Sequence, residues 1–121
     1  MDYEDNIPKY IRTIYKTPEF ETFYTLLQPK IKANFDYVMN VISTIYNVPS
    51  KFIKHLEHTD LYEMRVSVGT NEYRTVLFAI DSDNIIEATR IILLNAFLKK
   101  DKKDYRKQVE KAISILNQLE Q

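Results

Sequence analysis

Two adjacent segments of alternating apolar and polar residues place the strongest limit on how this chain folds. They are residues 61–68 and 72–80, and Gly69 between them is the only glycine of the chain. A period of two places every second side chain on the same face of a strand. The sequence therefore predicts an antiparallel hairpin with one face on a core. The apolar sets are Tyr62, Met64, Val66 and Val68 in the first strand and Val76, Phe78 and Ile80 in the second.

The segment before the hairpin predicts a short strand followed by two helices. Residues 10–16 alternate as a strand does, and Pro18 ends that pattern. Thr17 suits a helix N-cap with Pro18 at the first helical position, and Pro29 begins a second helix that runs almost to Pro49. We expect an αα-hairpin, and then a short helical turn within residues 50–56. The apolar stripes are Phe20, Phe23, Tyr24 and Leu27 in the first helix and Ile31, Phe35, Val38, Met39, Ile42 and Ile45 in the second.

The segment after the hairpin predicts a turn at residues 81–84, a strand and a last helix. Residues 85–98 are ambiguous, because Asn84 suits a helix N-cap while the apolar run 91–94 suits a buried strand; we assign residues 90–99 to a strand. Asp101, with Asp104 three residues later, resembles a capping box that opens the last helix. The predicted fold class is α+β. The apolar stripe of the last helix is Tyr105, Val109, Ala112, Ile113 and Leu116.

Length and composition exclude several classes of protein. The 121 residues suit a single domain spanning 1–121, and 45% hydrophobic with 28% charged residues are typical of a globular chain. No apolar stretch reaches the ~20 residues of a membrane-spanning helix. The acidic segment 1–5 lacks the features of a signal peptide, so we expect a cytoplasmic protein. The absence of cysteine excludes disulfides, thiol catalysis and cysteine-ligated metals.

Positive charge is concentrated in residues 99–111. This segment has seven Lys or Arg and three Asp or Glu, a surplus of four, although the formal net charge of the chain is zero. A local basic patch indicates a local contact with a phosphate-bearing partner. The alternative is a solvated helix start. Against it, Lys102 and Lys103 in a first helical turn oppose the helix dipole by about 0.3–1 kcal/mol each.

Four segments carry a resemblance to a known family: residues 61–66, 72–78 and 93–100 and the helix that ends in 110–112. In this order they resemble the HigB-like (phage-derived Gp49-like) toxins of the RelE/ParE superfamily. The resemblance implies a RelE-like small sheet, an N-terminal strand plus a three-strand antiparallel meander, packed against an N-terminal helical hairpin and followed by a C-terminal helix. It also implies a type II toxin that cuts mRNA on the ribosome without metal or cofactor and is neutralised by a helix-turn-helix, HigA-like antitoxin.

The chain departs from this family pattern at three places. The family often has His-Gly where Asn95 and Ala96 stand, and Thr-Pro where Asp104 and Tyr105 stand. Its link between the second and third core strands is usually shorter than residues 81–90. The missing histidine removes one group that would transfer protons.

Metal-independent RNA cleavage, in which a 2′-hydroxyl attacks its own phosphate, needs cations and a proton-transfer group. We predict phosphate binding and transition-state stabilisation by Arg65 and Arg74, provided that the hairpin register lets them converge, and by Lys99 and Lys100. Tyr73, Tyr105, a lysine or solvent remain alternatives for proton transfer, with Tyr105 as the predicted catalytic tyrosine. The predicted RNA-binding residues are Lys99, Lys100, Arg106 and Tyr73.

Simpler interpretations stay open for these residues. Arg65 beside Glu63 or opposite Glu72 is also typical of an ion pair on a solvated sheet face. His55 and His58 share helical spacing but have no clear third metal ligand. Two other functions also remain: a non-catalytic interaction protein of the same fold, and a ParE-like gyrase-directed toxin. Four tyrosines are interpreted as core or antitoxin-interface residues: Tyr10, Tyr24, Tyr37 and Tyr46.

Overall fold

A mixed sheet with helices on both faces organises residues 9–121, the part of the chain that the computed structural model describes. The acidic segment 1–5 lies outside these residues. None of the helices in the described part is long and apolar enough to cross a membrane. The elements in chain order are β1 (Thr13–Lys16), α1 (Pro18–Thr25), α2 (Pro29–Thr44), β2 (Ile53–His55), β3 (Leu61–Val68), β4 (Asn71–Ala79), β5 (Arg90–Leu98) and α3 (Lys102–Leu119).

The strands lie in the order β1-β5-β4-β3-β2. The predicted meander is present, because β3 pairs with β4 and β4 with β5, both antiparallel. The N-terminal strand β1 pairs parallel with β5. The chain between these two strands contains both N-terminal helices and the strands β2, β3 and β4. The α+β class and this arrangement agree with the sequence prediction, and β2 adds one antiparallel strand at the outer edge of β3.

The helices α1 and α2 cover one face of the sheet and enclose the larger core. Thr17 caps α1 by accepting a hydrogen bond from the backbone N–H of Phe20 at 3.1 Å, with Pro18 at the start of the helix. The alternating side chains of β3 point into this core as predicted. Its most deeply buried members are Phe20, Phe35, Ile42, Met64, Val66, Leu77, Ile91 and Leu93.

The third helix covers the opposite face, so both sides of the sheet are packed. Asp101 caps α3 by accepting from the backbone N–H of Asp104 at 2.8 Å. The pairing of β4 with β5 shifts from Val76–Asn95 to Leu77–Leu93, which leaves Leu94 as the extra residue of a β-bulge. The smaller core beneath α3 consists of Leu61, Val76, Leu94, Phe97, Ala112 and Ile115.

Arg12 ties the N-terminal segment to two other parts of the fold. Its guanidinium is 3% exposed and donates five hydrogen bonds to backbone carbonyls. Burial lowers the pKa of Arg12 from its usual value. These bonds connect β1 to the end of α2 and to the link before β5. The acceptors are the carbonyls of Ile42, Ile45, Tyr46, Ile86 and Ala88.

The ambiguous link before β5 is a series of turns across residues 80–89. Asp81 closes it by accepting from the backbone N–H groups of Thr89 and Arg90 and from the Thr89 hydroxyl. The Thr89 hydroxyl is the main reason that the pKa of Asp81 falls to about 2. A strand from Arg90 onward agrees with the prediction. The link before it, which is longer than in the resembling family, folds back on itself as turns.

Of the helical turn predicted within residues 50–56, residues 50–52 form a single turn, in which the Phe52 backbone N–H donates to the Pro49 carbonyl at 2.9 Å. For residues 53–55 the prediction is wrong, because β2 forms there. Three residues are too few to show a period, and pairing with β3 decides their conformation. The first strand is shorter than predicted and begins at Thr13, and α2 ends at Thr44 instead of near Pro49. In α3, Ile115 is buried and Ile113 is 40% exposed, the reverse of the predicted stripe.

Replacing Arg12 with methionine should destabilise the fold by about 2–4 kcal/mol, because five carbonyls, two of them in buried and three in partly buried hydrogen bonds, lose a charged donor. Urea unfolding followed by circular dichroism measures this. Arg90→Met, at an exposed position, is the matched control and should change stability by at most about 0.5 kcal/mol. Equal losses in the two variants would contradict the anchoring role of Arg12.

Candidate functional site

A cleft of about 560 Å³ opens where the α3 face of the sheet meets the start of α3. It is lined by seven Lys or Arg side chains and four Asp or Glu, a surplus of three positive charges in a chain with a net charge of zero. The cations are Lys54, Arg65, Arg74, Lys99, Lys100, Lys102 and Arg106, and the anions are Glu57, Glu63, Asp101 and Glu110.

Arg65 and Arg74 are direct cross-strand partners in the hairpin of β3 and β4. The register therefore brings the two predicted arginines together. Like charges directly opposite each other in a sheet are destabilising. A counter-charge is needed to keep both arginines on the same face.

Glu63 supplies this counter-charge. Its carboxylate is buried, with its side chain 4% exposed, and it accepts from Arg65 Nε at 2.9 Å and Arg65 Nη2 at 2.8 Å. Arg74 Nε lies 3.8 Å from the same oxygen, Oε1. The Tyr105 hydroxyl donates to the second oxygen, Oε2. One carboxylate thus joins β3, β4 and α3.

The ion pair of Glu63 with Arg65 was among the simpler interpretations of the sequence, and the structure contains it. The carboxylate end of the pair is buried beneath α3, however, while 29% of the Arg65 side chain stays exposed in the cleft. A charge pair under a helix is costly unless each charge is well partnered. Burial therefore changes this pair from a common surface feature into an organised cluster.

Arg74 is held more tightly than Arg65. Its side chain is 7% exposed, against 29% for Arg65. Arg74 Nη1 donates to the Tyr73 carbonyl at 3.0 Å and lies 3.4 Å from Glu72 Oε2. Hydrogen bonds from Ser67 and then from Arg74 lower the pKa of Glu72. The more exposed Arg65 is the arginine with room to meet a ligand.

Tyr105 stands in the first turns of α3, with its ring edge-on to Phe97 at a centroid distance of 5.7 Å. Burial, and then the hydrogen bond to Glu63, raises the pKa of Tyr105 above its usual value. The phenol stays protonated at neutral pH. It therefore suits donation of a proton or hydrogen bond and does not suit the role of a base.

The exposed cations form the mouth of the cleft. Lys99 and Lys100 follow the end of β5, where the Lys99 backbone N–H donates to the Glu72 carbonyl at 2.7 Å. Arg106 lines the same cleft from α3, as does Lys102. Lys103 and Lys107 are exposed on α3 and are not among the lining residues.

The prediction of Tyr73 as an RNA-binding residue is wrong. Alternation along β4 turns it away from Arg74 and into the larger core, where it is 7% exposed against Phe23 and Phe35. A nucleobase cannot reach this ring in the folded chain. Tyr10, Tyr37 and Tyr46 are exposed, so they are not core residues, and Tyr24 is half-buried at the core margin.

Lys54 also lines the cleft and was missed from the sequence as a site residue. It lies on β2, the strand that local pattern did not reveal, opposite Glu63. The next residue, His55, pairs with Tyr62 and packs its ring against the Tyr62 ring at 5.1 Å, so alternation places this imidazole on the face that α1 and α2 cover; its Nε2 donates to the Thr59 carbonyl at 2.7 Å. His58 stands in a turn with φ of 65°. Within residues 9–121, no three His, Asp or Glu side chains group as metal ligands would.

Asn95 occupies the position where the resembling family often has histidine, and it lies outside the cleft. It is 2% exposed, and its Nδ2 donates to the backbone carbonyl of Gln108 at 3.1 Å and to the Gln108 side chain at 3.2 Å. The β-bulge turns Asn95 toward α3. Its role in this chain is to hold the helix on the sheet.

Comparison with known proteins shows the family and the fold of this chain. The family model described as "Phage derived protein Gp49-like (DUF891)" matches residues 22–117. A solved structure of a mutant of the E. coli toxin RelE in the free state is similar, with a TM-score of 0.58 over 84% of this chain and 97% of that chain. The sequence identity is 12%, so this likeness concerns the fold. No curated protein sequence matches significantly.

Replacing Tyr105 with phenylalanine should cost about 1–2 kcal/mol of stability at pH 8, because Glu63 loses a buried donor. The phenol's pKa is raised by folding, so its contribution is complete below about pH 10, the unfolded value, and declines as pH rises further. The deficit of the variant should therefore stay constant from pH 8 to about pH 10 and shrink from there to pH 11, by at most about 1.4 kcal/mol per pH unit. Urea unfolding across this range measures it.

Tyr15→Phe is the matched control, because Tyr15 is 44% exposed. This variant should show neither the deficit at pH 8 nor its loss at higher pH. A deficit in Tyr105→Phe that stays constant with pH would contradict the bond to Glu63.

Proposed function

The chain belongs to the phage-derived Gp49-like family and has a RelE-like fold, and from this premise we propose that it is a type II toxin that cuts mRNA on the ribosome. The observation that carries the proposal is the cleft in which Arg65, Arg74 and Tyr105 meet beside Lys99 and Lys100. We place residues 1–121 in one toxin domain that acts in the cytoplasm, where ribosomes are.

The proposed reaction is attack of an RNA 2′-hydroxyl on its own phosphate. The new bond to the 2′-oxygen closes a cyclic phosphate, the bond to the 5′-oxygen breaks, and negative charge grows on the phosphoryl oxygens. Arg65 offers a planar pair of donors to these oxygens, and Arg74 adds fixed positive charge behind it. Such preorganised charge acts more strongly in a half-buried site than in water.

Two proton transfers complete the reaction. Tyr105 is protonated and suits donation to the departing 5′-oxygen. We assign acceptance of the proton from the 2′-hydroxyl to solvent, because the His55 ring packs against Tyr62 on the opposite face of the sheet.

The exposed cations suit the RNA backbone on either side of the cut. Lys99, Lys100 and Arg106 stand at the cleft mouth and contribute charge without occupying its interior. The narrow basic region fits a protein that depends on the ribosome to present its substrate, since a neutral chain has little general affinity for RNA.

The proposed partner is a helix-turn-helix, HigA-like antitoxin. Family membership supports this pairing. Exposed aromatic residues are enriched at protein interfaces, and Tyr10, Tyr37 and Tyr46 are 69%, 60% and 49% exposed. We therefore retain these tyrosines as candidates for the antitoxin contact.

One observation favours a second function, that of a non-catalytic interaction protein of the same fold. Glu63 already lies between the two arginines as a shared partner, as it would in a purely structural cluster. The cleft then serves only to bind an acidic partner through Lys99, Lys100 and Arg106.

Reversing the charge of Lys99 and Lys100 together, in K99E/K100E, should lower toxicity and mRNA cleavage by about 100-fold or more, because two phosphate contacts become repulsive. Growth after induction without antitoxin and cleavage of ribosome-bound mRNA measure this. The matched control K103E/K107E makes the same charge change outside the cleft and should remain close to wild type. Equal effects of the two double variants would contradict the site assignment.

Sequencing of mRNA 5′ ends after induction should show new cuts within translated codons. Cleavage that depends on translation follows from the weak general affinity expected of a neutral chain. Blocking translation initiation on a reporter mRNA should abolish its cuts. Intact mRNA together with DNA damage would instead establish the gyrase-directed alternative, and neither change would favour the non-catalytic protein.

A further inference from the structure

Glu63 has no role in the reaction proposed above, although it is the most highly connected charged group in the cleft. It contacts Arg65, Arg74 and Tyr105, all of which that reaction uses. A carboxylate in a site that binds phosphate opposes the ligand electrostatically. Its burial among the functional groups therefore calls for a specific reason.

We propose that Glu63 is the positioning residue of this cleft: it holds Arg65 and Arg74 side by side, orients the Tyr105 hydroxyl, and releases Arg65 to an incoming RNA phosphate. The inference rests on the proposed function, since it assigns the order of events at the same site. It concerns a residue that acts through others and does not itself touch the substrate.

The two oxygens of Glu63 divide its contacts. Oε1 accepts from Arg65 and faces Arg74, whereas Oε2 accepts from Tyr105. Moving either oxygen disturbs a cation and the phenol together. The carboxylate thereby fixes the distance between the proton donor and the charge that stabilises the phosphate.

The unequal exposure of the arginines determines which of them is released. Arg74 has additional partners in the Tyr73 carbonyl and Glu72, and it is almost fully buried. Arg65 is bound only through Glu63 among the side chains described, and 29% of its side chain is exposed. A phosphate that enters the cleft can replace Glu63 as the partner of Arg65, while Arg74 stays to neutralise Glu63.

The test compares two variants of the full chain, each with a single substitution. Glu63→Gln keeps the shape of the side chain and removes its charge. Glu72→Gln is the matched control, because Glu72 also lies beside Arg74, at 3.4 Å, but is not among the residues that line the cleft. Two readouts are the cleavage rate of ribosome-bound mRNA per folded molecule and the affinity for a short RNA with methylated 2′-hydroxyls.

Glu63→Gln should lower the cleavage rate about 10- to 100-fold, because the arginines and the phenol lose their fixed geometry. It should also bind the methylated RNA more tightly, since Arg65 no longer has to leave a carboxylate. The dependence of log affinity on log salt should steepen by about 0.7, the value for one further neutralised phosphate on a single strand, because Arg74 no longer has Glu63 to neutralise. Glu72→Gln should leave the rate and the salt dependence near wild type.

A purely structural role for Glu63 predicts a different result, in which folded Glu63→Gln keeps the wild-type rate and salt dependence. That result overturns the inference, and so does weaker RNA binding with unchanged salt dependence. If Glu63→Gln does not fold, Glu63→Asp keeps the charge but withdraws it by one methylene. This variant should keep the wild-type salt dependence and lose at least 10-fold in rate, and a wild-type rate overturns the inference.

The two proposals fail separately. If wild-type protein cuts mRNA and Glu63→Gln cuts it equally well, only the positioning role is lost. If wild-type protein binds RNA without cutting it and Glu63→Gln still steepens the salt dependence, the nuclease proposal is lost and Glu63 keeps its role in an anion site. If wild-type protein neither cuts nor binds RNA, both are lost.

Discussion

Burial of a single carboxylate, Glu63, is the interaction on which the cleft depends. The hairpin register places Arg65 opposite Arg74, and two cations in that position repel each other. Glu63 balances them and, through Tyr105, also holds the first turns of α3 against the sheet. Without this carboxylate, neither the arginine pair nor the position of the helix start would be favourable, because buried charges need close partners.

Packing on both faces of the sheet gives this cluster its properties. The N-terminal helices cover one face. Arg12, the residue before β1, fixes the C-terminal end of α2 to the turns before β5. The other face is left for α3, which excludes water from Glu63 but stops short of the cations at the cleft mouth. A gradient from buried to exposed charge results, with Arg74 inside, Arg65 between and Lys99 outside.

Membership of the Gp49-like family and a RelE-like fold limit what this gradient can be used for, but they do not decide it. A chain with no net charge has to collect its positive groups in one place to recognise a phosphate backbone. The positively charged residues that line the cleft come from β2, β3, β4, the end of β5 and α3. Asn95, which replaces a histidine common in the resembling family, serves the packing of α3, and the imidazole of His55 on β2 lies beside Tyr62 on the other face of the sheet.

The sequence alone determined the α+β class, the hairpin, the caps of α1 and α3, and the basic segment that holds Lys99, Lys100 and Arg106. These features depend on periods of two and 3.6 residues and on local capping, which neighbouring residues specify. Tertiary structure decided the rest: β2, the burial of Tyr73, the exposure of Ile113 and the role of Glu63. Such features arise from pairing and packing between distant segments, and a three-residue strand or a lone glutamate shows no local sign of its partners.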